Sequence, residues 1–196
     1  QTEEEMERFR CLLAHTVMAT DIGNPEAAAG RLSRWKAAFG SEIDTKSGHE
    51  NLSADRIATQ KALVVIEHII QLSDISHTTQ HWKVFSKWNR LLFKEQFLAF
   101  KAGRAVKDPS KDWYKNEMGF FDYHILPLAT RFQDLNVFKG ISAAYVKNAI
   151  ANRREWEERG VGLVQGYLED FEKKSLVASN IQKKVQRIPS MIPTCK

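Results

Sequence analysis

Between residues 82 and 100 the large apolar side chains fall three and four positions apart. Trp82, Phe85, Trp88 and Leu92 make one stripe, and Phe93, Phe97 and Phe100 make a second. That spacing suits an α-helix and excludes a strand, whose faces alternate at every second residue. Two apolar stripes on one helix predict a central element buried on both sides.

The same period runs through the rest of the chain. Residues 3–22 carry Met6, Phe9, Leu12, Leu13, Val17 and Ile22 before Gly23, Asn24 and Pro25 break the helix. A shorter helix is predicted over residues 26–39, ending at Gly40, followed by a polar loop over residues 41–51. Ser53 is a candidate N-cap for a helix that is apolar on most sides through Ala62, Leu63, Val64, Val65, Ile66, Ile69 and Ile70. The helix holding the aromatic stripes should begin near Thr78 or Thr79 and stop at Gly103. After a turn at Asp108, Pro109 and Ser110, a helix over residues 113–135 presents Phe120, Phe121, His124, Leu128 and Phe132, with Pro127 kinking it. A last long helix over residues 141–172 puts Tyr145, Ile150, Trp156, Leu163, Tyr167 and Phe171 on its apolar side. The predicted fold class is all-α, a compact multi-helix bundle.

Charge divides the chain. The net charge is +5. From Glu172 onward, Lys173, Lys174, Lys183, Lys184, Arg187 and Lys196 stand against one acidic residue, so this end carries the whole excess and residues 1–171 are neutral. The division predicts a helical unit over residues 1–172 and a basic, disordered tail over residues 173–196. The tail could contact nucleic acid in a salt-sensitive way, but it is not interleaved with a reading helix, and no nucleic-acid partner is expected. No apolar run reaches the roughly 18 residues of a membrane span. Gln1 to Glu5 read as neither a signal nor a transit peptide, and the missing initiator Met points to a piece of a longer chain. Cys11 and Cys195 form no disulfide framework, which makes a reducing, cytoplasmic setting the default.

Two places could carry chemistry. Asp74 closes a strongly apolar helix, where the helix dipole and desolvation both disfavour a carboxylate. It reads as a metal ligand, as a solvated turn residue, or as an N-cap of the next helix. None of the six histidines falls into a compact metal-binding motif, although His77 and His81 are four apart. The segment from Trp113 to Tyr123 concentrates aromatics around Gly119, Glu117 and Asp122. It reads as a slot for a flat ring, with Phe120 as stacking face and Glu117 as polar clamp, or as ordinary helix packing.

Three blocks, taken in order, resemble the class I cyclic-nucleotide phosphodiesterases. They are Val17-Met18-Ala19-Thr20-Asp21-Ile22; Leu72-Ser73-Asp74-Ile75-Ser76-His77 with Trp88 and Phe97 downstream; and residues 115–123 with Pro127-Leu128. The match covers residues 9–158 and is similar in detail to domains of diatoms, oomycetes and ciliates, in Ser-His-Thr-x-Gln-His-Trp and in the Asp-Pro-Ser turn before Trp-Tyr. The resemblance implies the C-terminal part of a phosphodiesterase helical fold that hydrolyses 3′,5′-cyclic nucleotides to 5′-monophosphates with a metal-activated hydroxide. It makes Asp74 one ligand of a tightly bound metal, usually Zn2+, beside a second, usually Mg2+ or Mn2+. It makes Phe120 the purine-stacking ring, with His77 beside the base and Ile22 and Leu92 lining its pocket. Glu117 stands where the family has Gln, and Phe85 where it has a ring-orienting Tyr, so both cAMP and cGMP stay open as substrates.

The family's His-Asn-x-x-His and His-Asp-x-x-His segments lie upstream of the first block. The 196-residue chain alone is therefore expected to be inactive, as part of an active parent. That parent could be joined to a nucleotide-cyclase or membrane module and could pair as a homodimer. The alternative is a nucleotide-binding or scaffold module without chemistry.

Overall fold

A computed structural model describes residues 2–40 and 54–186, with side chains to residue 173. Helix α1 (Glu3–Ala19) starts from a capping box in which Thr2 and Glu5 satisfy each other's backbone N–H. Helix α2 (Pro25–Phe39) is capped by the Asn24 side chain and opens on a proline, whose fixed φ suits a first turn. Helix α3 (Ala54–Asp74) leads into a 3-10 turn (Ser76–Thr79) and then α4 (Trp82–Lys101), capped by His81. Helix α5 (Trp113–Phe120) passes through a π-helical turn (Phe121–Ile125) into α6 (Leu126–Asp134). Helix α7 (Ile141–Gln186) completes the order. All regular structure among the described residues is helical. No helix there is long and apolar enough to cross a membrane.

Helix α7 is the spine against which α4, α5 and α6 pack. The core gathers Phe85, Phe93, Phe97, Trp113, Phe121, Ile125, Leu128, Phe132, Trp156 and Tyr167, with Phe85 set edge-on to both Phe121 and Trp156. Buried amides on α7 hold the 3-10 turn in place. Asn152 Nδ2 donates to the carbonyls of Thr78 (2.8 Å) and Gln80 (2.7 Å), and Asn148 Nδ2 donates to that of Thr79 (3.0 Å). These carbonyls lie outside any helix ladder, and burying them unpaired would be costly. The turn that carries His77 is thereby locked to the spine.

Helices α1 and α2 pack on α3. The polar centre of this layer is Glu67, 1% exposed and paired with Arg34 and His15. Gln71 Nε2 donates to the Ala19 carbonyl (3.0 Å), tying the end of α1 to α3.

Several sequence expectations are corrected. Helix α4 buries one face, Phe85, Asn89, Phe93 and Phe97, while Trp88 and Leu92 are exposed. It starts at Trp82 because Gln80 adopts an extended conformation after the 3-10 turn. Helix α1 ends at Ala19, three residues short of the expected 22, where the Thr20 and Asp21 N–H groups turn back to Val17 and Met18. Helix α3 buries polar Glu67, His68 and Gln71 and leaves Ile57, Ile66 and Ile70 partly open. Ile150, expected on the apolar side of α7, is exposed, and Asn152 takes an inward position instead. The helix expected over residues 113–135 widens into the π-turn just before Pro127, where the Leu126 N–H reaches back to the Phe121 carbonyl. Helix α7 continues through Gln186, so position 172 lies inside a helix. The predicted loop over residues 41–51 and the Ser53 cap lie outside the described residues.

Candidate functional site: a half-buried carboxyl read by an amide

Glu117 sits on α5 and points back at α4. Its Oε2 accepts from Asn89 Nδ2 at 2.5 Å. The Oδ1 of Asn89 in turn accepts from the Trp113 indole N–H at 3.2 Å. Asn89 is 2% exposed and lies one turn from Phe85 and from Phe93, which fixes its backbone in the most densely packed part of the fold. An indole nitrogen can only donate, so the Asn89 oxygen must face Trp113 and its NH2 must face Glu117. Burial pushes the Glu117 carboxyl up to about 7, against the smaller opposing effect of the Asn89 hydrogen bond. The result is a carboxyl poised between its two protonation states near neutral pH.

Phe120 lies one turn further along α5, half-buried, with its ring centroid 5.5 Å from that of His124. His77 lies in the 3-10 turn, parallel to Phe85 at 6.5 Å and tilted to Trp88 at 6.4 Å. Burial lowers its pKa, with the neighbouring Asp74 partly opposing this. Asp74 ends α3 on the surface. Leu92 is on the exposed face of α4. Ile22 lines a separate cavity with Gln71, Ile75 and His124. A larger groove of about 750 Å³ between α4 and α7 takes in none of these six residues.

The match that decides the family runs over residues 1–146, to the family model described as 3'5'-cyclic nucleotide phosphodiesterase. The chain belongs to that family. No curated protein and no solved structure matches it. Membership makes the cyclic-nucleotide phosphodiesterase class the frame for this site, and with it a hydrolase that generally depends on metal.

The phosphodiesterase residues described here do not by themselves fit a metal pair. No group of three or more His, Cys, Asp or Glu comes together among the described residues. Asp74, an exposed single carboxylate, offers one donor where a catalytic metal site takes about three from protein.

Asn89 was not singled out from the sequence. The signal was there: a polar residue in register with Phe85, Phe93 and Phe97 has to be buried, and a buried amide needs partners. The guanidinium groups of Arg31, buried, and Arg131, half-buried, were also missed. Nothing in the spacing of α2 and α6 marks either as inward-facing.

Proposed function

We propose that this chain forms the base-recognising part of a cyclic-nucleotide phosphodiesterase site, with Glu117 reading the Watson–Crick edge of the purine. Phe120 stacks on the ring, His77 flanks the base, Ile22 and Leu92 provide apolar contacts, and Asp74 supplies one metal ligand. The substrate is a 3′,5′-cyclic purine nucleotide and the product its 5′-monophosphate. The 196-residue chain alone does not turn over, because no donor group among the described residues completes a metal site. The reading also likens the domain to those of diatoms, oomycetes and ciliates.

One observation carries the reading: a half-buried carboxyl held by Asn89, whose other oxygen takes no hydrogen bond among the described residues. An ionised carboxyl has only acceptors, so it pairs with two adjacent donors such as the ring N–H and amino group of guanine. A protonated carboxyl has one donor and one acceptor, matching the amino group and ring nitrogen of adenine. Asn89 favours the ionised form, so cGMP should gain on cAMP as pH rises through about 7.

Calorimetric binding of cAMP and cGMP at pH 6 and pH 8 tests this. A preference that swings toward cGMP at pH 8, and stops swinging in Glu117→Gln, is the expected result. The same swing with pH in that variant, or no binding of either nucleotide, would sink the base-reading role. Hydrolysis assays on the same chain with Zn2+ and Mg2+ should show no turnover.

A further inference from the structure

A cavity of about 240 Å³ lies between α2, α3, α6 and the π-turn, lined on its polar side by Arg31, Arg131, His124 and Gln71. Arg31 is 5% exposed. Among the described residues its guanidinium enters no ion pair and no side-chain hydrogen bond; Glu67 and Asp21 act on it only through their charge. Glu67 is already occupied by Arg34, which donates through Nε at 3.1 and 3.3 Å and lies 2.9 Å away through Nη2, and by His15. Asp21 is a surface residue. The Arg31 side chain lines the cavity.

The second arginine is no better matched. Among the described residues, Arg131 Nη1 reaches only the Nε2 of His68, at 3.4 Å, and its guanidinium lies 5.7 Å from the centre of the Trp35 ring. His68 Nδ1 bonds the Val64 carbonyl at 2.8 Å, which leaves Nε2 as the acceptor on a neutral ring. Burial lowers the pKa of Arg31, Arg131 and His124, and the Arg31 charge adds to the effect at His124. Guanidinium groups stay charged in proteins, and a buried charge is strongly unfavourable unless something of opposite sign meets it.

We infer that this cavity binds a small oxyanion, of the size and charge of inorganic phosphate, between Arg31 and Arg131. The guanidinium fork suits paired oxygens on one centre. The volume falls below the roughly 300–1,000 Å³ of sites for drug-sized ligands, so a free ion with a few waters fits and a whole nucleotide does not. The cavity shares Ile22 with the proposed nucleotide site, but the inference does not rest on the role of Glu117.

Titration calorimetry of the full chain with inorganic phosphate, against potassium chloride at matched ionic strength, is the test. A saturable one-site heat is expected, at least about tenfold weaker in Arg31→Met and weakened in Arg131→Met, since each variant removes a charge-assisted pair. Equal heats from phosphate and chloride would overturn the inference, as would an unchanged affinity in Arg31→Met. Displacement of phosphate by AMP would overturn the assignment to a free ion. Should Arg31→Met fail to fold, the arginine Nε–Hε resonances of the wild-type chain decide: phosphate must shift two of them, and an unperturbed spectrum refutes the site.

Discussion

Asn89 and Glu117 are joined at 2.5 Å across the α4–α5 contact, and the amide making that bond is turned the right way by Trp113. Replacing Asn89 by Leu removes the one hydrogen bond that favours ionisation of Glu117. The Glu117 carboxyl should then titrate above its present value of about 7, as followed by carboxyl carbon-13 resonances. The indole N–H loses its acceptor as well, so stability should fall by about 1–3 kcal/mol. A titration curve that does not move would show that the amide does not govern this carboxyl.

Glu117 also shapes the pH dependence of folding. Its folded pKa, about 7, lies above the ordinary 4.5, so the folded state holds a proton that the unfolded state releases between those values. Stability from this group is full below pH 4.5 and is lost as pH rises through 7. The loss reaches at most about 3 kcal/mol at 1.36 kcal/mol per pKa unit. Denaturant unfolding of Glu117→Gln should lack that decline, so the variant gains on the wild type between pH 5 and pH 8.

His68 acts in the opposite sense. It is fully buried, neutral, and held at about 4 against an ordinary 6.5, chiefly by desolvation. Its contribution is present above pH 6.5 and lost as pH falls through 4, again by at most about 3 kcal/mol. Between pH 4.5 and 6.5 the two groups oppose each other, and His77 and His124, also lowered by burial, add to the rising side. His68→Gln should shift the profile toward the falling sense, so that its stability relative to the wild type drops as pH rises across that window. A difference between the two profiles that does not change with pH there would contradict the role of His68.

Gly160 lies where α5 packs on α7. A Cβ at this position would stand 2.8 Å from atoms of both the Trp156 and Tyr114 rings. Trp156 is fully buried and its indole N–H is committed to the Tyr114 carbonyl at 3.2 Å, so neither ring can easily give way. Gly160→Ala should therefore cost about 1–3 kcal/mol by overpacking, which lowers Tm by roughly 2–4 °C per kcal/mol for a chain of this size. Gly162→Ala, two residues on and facing open space, should instead stabilise α7 by up to about 1 kcal/mol. Thermal scans that move both variants the same way would refute the contrast.

The helical class and most helix positions were legible because the apolar period is strong and the breakers, Pro25 and Asp108-Pro109, are unambiguous. Burial was less legible. Trp88 and Leu92 have the hydrophobicity of core residues, yet the packing of α4 selects the Phe85–Asn89–Phe93–Phe97 line, because α5 and α7 meet that side. Individual site residues could be named from the motif blocks, but periodicity carries no information on which helices meet. Hence the link from Asn89 to Glu117, 28 positions apart, and the convergence of Arg31 with Arg131 emerged only in three dimensions.

The widened turn at Phe121–Ile125 spares the chain a clash between the Pro127 ring and the carbonyl one turn earlier, and it does so by carrying one residue more than an α-turn needs. The segment is thus a phase adjuster. In a plain α-helix one residue gained or lost swings everything beyond it by about 100°. Here the wide turn absorbs that swing, so Leu128 and Phe132 stay in the core while Glu117 still meets Asn89. One codon lost here would narrow the turn to an α-turn and keep the phase, but it would bring back the clash at the Pro127 ring.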